Sequence, residues 1–221
     1  MKKLLCICIC FAMMFSVSAC GSDVVKNPVV NENNLVNNNV VNWEVKDGTI
    51  TFTGNARMYD FNTYEVENRD IPWIDEQENF SEVVIADGVT YVGSFSFFNF
   101  KNVSSVKISG TVDSIGSSVF SGCDNLASVE LADGIREIGM GAFGQCVSLT
   151  NINIPASVTS IGKGAFYGCY SLTDLTIPES VQVFGDADIF TGCTSLTIHC
   201  KEGSAAQAQA EKYGIPFDFN I

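Results

Sequence analysis

The 221-residue chain carries one histidine, His199, and only 12 basic residues against 25 acidic ones, a net charge of −13. A single imidazole leaves no zinc-spaced Cys/His set. The acidic balance disfavours nucleic acid and anionic membrane surfaces as partners. No glycine-rich phosphate loop is present. No apolar run approaches the ~20 residues needed to cross a bilayer; the one at the N-terminus runs only from Leu4 to Phe15. Two acidic clusters, Asp75-Glu76-Gln77-Glu78 and Asp186-Ala187-Asp188, lack the glycine-spaced loop of calcium sites and read as solvated charge. Neither a metal nor another cofactor is expected.

What the chain does have is a repeat. From Ile115-Gly116 a frame runs through Phe120, Cys123, Leu126, Val129 and Leu131, and it returns 23 residues later from Ile138-Gly139 and again from Ile161-Gly162. The columns are Phe120/Phe143/Phe166, Cys123/Cys146/Cys169 and Leu126/Leu149/Leu172. No 23-residue unit can bury that many apolar side chains by itself, so units must stack on a shared core as a solenoid. Within each unit, alternation such as Ile152 and Ile154 inward with Asn151 and Asn153 outward predicts a half-buried strand, and stacking makes a parallel sheet. Pro155 and Pro178 stop the strand, since proline cannot donate to a ladder. Gly139 and Gly162 are expected at sharp bends, and Gly141 and Gly164 at the start of one helical turn that delivers Phe and Cys to the core.

Four of the nine cysteines look like metal or disulfide chemistry until the period is applied. Cys123, Cys146, Cys169 and Cys193 fall in one column, where parallel side chains keep neighbouring Cβ atoms too far apart for disulfides. They are read as buried thiols filling space beside the Phe column. Cys200 lies outside the column, and a Cys193–Cys200 bridge is left open. A nucleophile–base pair drawn from Cys193, His199 and Cys200 has no recognisable oxyanion loop or orienting residue beside it. The chain therefore reads as a non-enzyme.

The frame Ile161-Gly162-Lys163-Gly164-Ala165-Phe166-Tyr167-Gly168-Cys169-Tyr170-Ser171-Leu172-Thr173-Asp174-Leu175-Thr176-Ile177-Pro178-Glu179-Ser180-Val181 resembles the BspA-like bacterial leucine-rich repeats at almost every position. The resemblance implies an α+β solenoid: a right-handed leucine-rich repeat coil of about five units with a parallel β-sheet. It extends to a preceding β segment with Gly48–Gly54, Pro72-Trp73 and Val83–Val89. On this reading residues 43–91 are an N-terminal β cap, 92–200 the repeats and 201–221 a C-terminal helical cap. The cap has an N-cap Ser204, an Ala-rich body and a terminal Gly214.

Before the cap, Lys2-Lys3, the apolar run and Val17-Ser18-Ala19-Cys20 resemble a bacterial lipoprotein signal peptide over 1–19. That resemblance implies lipidation of Cys20, so acyl chains would be the sole membrane attachment. Residues 20–42, rich in Asn and Val, read as a tether, with the alternative that their valines pair as an extra strand.

The outward strand positions form two columns: Ser105, Ser128, Asn151, Asp174 and Lys107, Glu130, Asn153, Thr176. They are the candidate binding face, since solenoids expose such a row as a platform. The family resemblance implies a surface-attached bacterial protein whose partner is another protein, with adhesion to host extracellular matrix or to another cell surface as the function. The alternative is an envelope spacer without external ligand.

Overall fold

The computed structural model describes residues 25–29, 40–61, 71–185 and 188–221. The expected leader and Cys20 lie outside the described residues. Strand β1 (Val25–Val29) pairs antiparallel with β2 (Val41–Lys46), and β2 with β3 (Thr49–Gly54). Part of the 20–42 segment expected as tether is therefore strand, the pairing its valines left open. The β2–β3 turn is Asp47-Gly48, with φ of 49° and 77°, the doubly left-handed geometry that suits a tight hairpin.

From β3 onward all pairing is parallel. Strands β4 (Glu82–Ile85), β6 (Ser105–Ile108), β8 (Ser128–Leu131), β10 (Asn151–Ile152), β12 (Asp174–Thr176) and β14 (Thr197–His199) recur on successive turns of the coil. Register is strict: Glu82 faces Ser105, which faces Ser128, which faces Asn151. The array thus begins one turn earlier than Val92 and has six turns rather than five. Its first turn is disguised because the positions 23 residues before Phe97 and Phe100 hold Ile74 and Gln77, both only half-buried, while Trp73 and Phe80 are what lie against those two rings.

A second sheet corrects the single-sheet expectation. It comprises β5 (Tyr91–Val92), β7 (Ser114–Ile115), β9 (Glu137–Ile138), β11 (Ser160–Ile161) and β13 (Val183–Phe184), two residues each and all parallel. The first sheet is divided as β1-β2-β3-β4-β6-β8-β10 and a separate β12-β14-β15, where β15 is Phe217–Asp218.

Between the two sheets the Phe-Cys segment is not a helical turn. Its N–H groups alternate: Phe143 N–H crosses to the Ala165 carbonyl of the next turn, while Gly144 N–H closes back on Gly141. This stacked-turn geometry needs left-handed backbone at two columns. One holds Phe95, Ser118, Gly141, Gly164 and Asp188; the other holds Asn99, Gly122, Gln145, Gly168 and Gly192. Gly139 and Gly162, expected at bends, serve close approach instead. A Cβ on Gly139 would lie 2.6 Å from the Gly116 and Ile115 carbonyl oxygens.

The core is a ladder. Phe97, Phe120, Phe143, Phe166 and Phe190 stack with centroids 5.2, 5.7, 5.9 and 5.9 Å apart and rings tilted by 11° or less. Burying each such ring is worth roughly 1.5–3 kcal/mol relative to leaving it in water. The Cys column does more than fill space. Cys123, Cys146, Cys169 and Cys193 each donate Sγ–H to the Phe carbonyl of the preceding turn, at 3.1–3.2 Å.

At the start of the array Trp73 is fully buried, with Phe52, Phe61, Phe97 and Trp43 centroids 4.7–6.1 Å away, and its Nε1–H donates to the Ser96 carbonyl. At the other end helix α1 (Ala205–Tyr213) is capped by the Ser204 hydroxyl, which accepts from Gln207 N–H, and by left-handed Gly214. It buries Ala206 and Ala210, after which β15 (Phe217–Asp218) adds a strand beside β14 that the 201–221 pattern did not announce.

Candidate interaction face

Alternation along β6 and β8 turns Val106, Ile108, Val129 and Leu131 into the core and leaves Ser105, Lys107, Ser128 and Glu130 outside. The next turns do the same with Asn151, Asn153, Asp174 and Thr176, all exposed except for the half-buried Ser105. All eight expected residues therefore lie on one side of the solenoid. Six of them, Ser105, Lys107, Ser128, Glu130, Asn151 and Asn153, line a depression of about 280 Å³. Lys107 and Glu130 bridge neighbouring strands at 3.5 Å.

Three residues of this side were not assigned to it from the sequence, His199 having been weighed only as a base. Glu82 precedes Ser105 in the first column, and His199 follows Thr176 in the second. Extending the period by one unit in each direction would have found both. Asp218, opposite His199 on β15, carries no periodic signal.

His199 and Asp218 form with Asp174 a carboxylate–imidazole–carboxylate row. His199 Nδ1 lies 2.7 Å from Asp218 Oδ1, and Nε2 lies 3.2 Å from Asp174 Oδ1. The hydrogen bond to Asp218, aided by Asp174 and opposed by desolvation, raises the imidazole above its ordinary value. Asp218 is lowered chiefly by His199, and then by the Asn220 N–H. Asp174 is lowered chiefly by the Thr173 hydroxyl, and then by His199.

The cysteines are not assembled with this row. Cys200 is fully buried while its neighbour His199 faces outward, and both imidazole nitrogens are taken by carboxylates. Cys193 and Cys200 are free thiols, so the bridge left open does not form. Burial pushes Cys146 up to about 12 and Cys123 well above its ordinary range. Burial also raises Cys200, the thiol beside His199. Thiols raised in this way stay protonated and are poor nucleophiles.

No group of three or more His, Cys, Asp or Glu suited to a metal occurs among the described residues. At one acidic cluster, Glu76 accepts from Asn79 and Glu78 from Asn102, while Asp186 and Ala187 lie outside the described residues. The exposed aromatics Tyr167 and Tyr170 lie on the stacked-turn side rather than on the sheet. Phe98 is half-buried there, edge-on to Phe95 at 5.9 Å.

A parallel-strand solenoid with a polar outer sheet defines the class as a leucine-rich repeat protein. The model of the BspA type leucine-rich repeat region matches residues 75–197 in six copies, one for each turn, and the chain belongs to that family. Among solved structures it is similar to a leucine-rich repeat protein from Eubacterium ventriosum. The two are 27% identical with a TM-score of 0.63, over 73% of this chain and 42% of that one. It is also similar to the T. pallidum leucine-rich repeat protein, 28% identical with a TM-score of 0.53, over 71% of this chain and 67% of that one. The chain thus spans less than half of the Eubacterium ventriosum protein. No curated protein sequence matches it. Among the described residues no helix is long and apolar enough to cross a membrane.

Proposed function

We propose that the chain is a lipid-anchored module of a bacterial cell surface that binds another protein through the outer sheet, as an adhesin towards host matrix or a neighbouring cell. The observation that carries this reading is the depression lined by Ser105, Lys107, Ser128, Glu130, Asn151 and Asn153. It is a recess of polar side chains over Val106, Val129 and Leu131, fixed by strict strand register on a packed core, so a partner would order few protein groups on binding. Family membership supports a protein as the ligand. The Val17-Ser18-Ala19-Cys20 motif supports acylation at Cys20 as the attachment.

The test is retention of the purified mature chain on immobilised host matrix proteins and bacterial surface fractions. Retention that survives salt and is lost in the Glu130→Lys, Asn153→Lys double variant is the expected result. Retention unchanged by those substitutions removes the face, and no retention on any fraction leaves the spacer. Anchoring is tested by metabolic labelling with an azido fatty acid, which the wild type incorporates and Cys20→Ala does not.

A further inference from the structure

The stacked turns have a polarity, and it leaves the last turn open. Phe97 N–H donates to the Val119 carbonyl of the next turn, Phe120 to Ala142, Phe143 to Ala165 and Phe166 to Ile189, at 2.8–3.0 Å. Two residues along, Asn99 N–H donates to Ser121, Gly122 to Gly144, Gln145 to Tyr167 and Gly168 to Thr191. Every turn therefore offers this pair of donors, with a third two residues earlier at Phe95, Ser118 and Gly141, to carbonyls at alternate residues of the segment lying over it. On the last turn the pair is Phe190 N–H and Gly192 N–H, and neither has a partner among the described residues.

Beside these donors lies a cavity of about 280 Å³ between the last turn and the chain that leaves α1. Phe190, Cys193 and Leu196 line it on one side, and Tyr213, Ile215 and Pro216 on the other. Phe190 also has only one ring neighbour in the Phe ladder, whereas each ring before it from Phe120 onward has two.

We propose that this end groove is a second binding site, separate from the outer sheet, that takes an extended segment of a partner protein, neutral or basic in charge. The segment would present two main-chain carbonyls, two residues apart, to the Phe190 and Gly192 N–H groups, and an apolar side chain to the accessible wall of Tyr213, Ile215 and Pro216, since the Phe190 ring itself is already buried. Each turn of the array binds its successor this way, so the chain itself displays the recognition mode.

A second copy stacked head to tail does not fit. At the opposite end the Ser96 carbonyl, the one in register with Val119, already accepts from Trp73 Nε1–H, and Trp73 covers Phe97. Two last turns brought face to face would set donor against donor. A chain carrying −13 also repels its own copies, and the exposed Asp188 at the mouth of the groove favours a partner without negative charge.

The test uses the full chain, ¹⁵N-labelled, and a synthetic peptide, Ile-Gly-Lys-Gly-Ala-Phe-Tyr-Gly, copied from residues 161–168. That segment carries the Ala165 and Tyr167 carbonyls and the Phe166 ring that lie over the turn before it. Saturable shifts of the Phe190 and Gly192 amides, with exchange slowed about tenfold, are expected. Replacing the peptide's Phe by Ala should weaken binding about tenfold. Thr194→Trp, at an exposed residue lining the groove, should do the same with the melting temperature unchanged, while Lys107→Glu on the outer sheet should have no effect. Shifts confined to the outer sheet, no saturation at millimolar peptide, or Phe190 and Gly192 amides already protected in the free chain would each overturn the proposal. Concentration-dependent dimers in sedimentation that protect the same amides would overturn it in favour of self-association.

Discussion

The two ends of this solenoid are closed by different physics. The N-terminal end is sealed by area. A hairpin and an added strand extend the outer sheet, and Trp73 spreads over the first Phe ring with four aromatic neighbours and a buried hydrogen bond. The C-terminal end is closed by a short helix that buries only two alanines and by a two-residue strand held through His199. In a stack where each turn contacts only its neighbours, the weaker cap sets where fraying begins. The chain should therefore open from its C-terminal end and hold at its N-terminal end.

The sharpest way to break that asymmetry is Trp73→Ala. Loss of a fully buried indole costs about 3–5 kcal/mol, and the Ser96 carbonyl loses its partner as well. Equilibrium denaturation should show the largest destabilisation of any single substitution considered, and hydrogen exchange should show fraying moved to the 41–97 region. A smaller loss, with exchange still fastest near α1, would mean that the aromatic cluster is not what seals the array.

Gly139→Ala should follow, at about 1–3 kcal/mol from overpacking. Its Cβ meets fixed carbonyl oxygens of the preceding turn at 2.6 Å, and no flexible side chain can yield. Gly203→Ala at the C-terminal end has nothing within 4 Å and is left-handed at 76°, so its cost is backbone strain alone, about 1 kcal/mol. Equal losses at the two sites would show that close approach between turns is not the reason for glycine in the Gly116/Gly139/Gly162 column.

These contrasts show what the sequence displayed and what it hid. A strict period made the Phe, Cys and Leu columns legible, along with the outward pairs from Ser105 to Thr176, because each recurs at 23 residues and burial enforces it. Three features stayed hidden. The first turn has Ile74 and Gln77 where later turns have Phe and Cys, so its strand looked like part of the cap. The second sheet is built from two-residue strands, too short for any alternation to register. Left-handed backbone at Phe95, Ser118 and Gln145 has no glycine to announce it; it is imposed by hydrogen bonds to the turns on either side. The thiols were recognised as buried, but their donation to the Phe carbonyls depends on a geometry that spacing alone does not reveal.

The C-terminal closure should also be the part of the molecule that responds to pH. His199 is raised from 6.5, so its contribution is complete below pH 6.5 and fades as pH rises through the folded-state value. Asp174 and Asp218 are lowered from 3.8, so theirs is complete above pH 3.8 and fades only as the solution becomes more acidic than that. The row is therefore complete between pH 3.8 and 6.5. Above that window, the protection factors of amides in β15 and α1, which are exchange rates corrected for the intrinsic rise with pH, should fall while those in β8 and β9 are unchanged. His199→Gln should remove this pH dependence and leave protection at its alkaline level throughout. Loss of protection spread evenly along the array would mean that His199 does not act as a local fastener.

The smallest effect belongs to the outer sheet. Lys107 and Glu130 lie 3.5 Å apart with both side chains more than half exposed, and exposed ion pairs are worth about 0–1 kcal/mol before salt screens them. The charges stand on strands whose register is already fixed by Val106, Val129 and the backbone ladder, so little structure depends on them. Lys107→Ala should shift stability by no more than about 0.5 kcal/mol, with hydrogen exchange unaltered from β4 to β10. If that face binds a protein, the same substitution should nevertheless change retention on the partner, because both side chains line the depression. A residue that is silent in folding yet decisive in binding would separate this face from Trp73 and Gly203 at the two ends, whose substitutions are felt first in the fold.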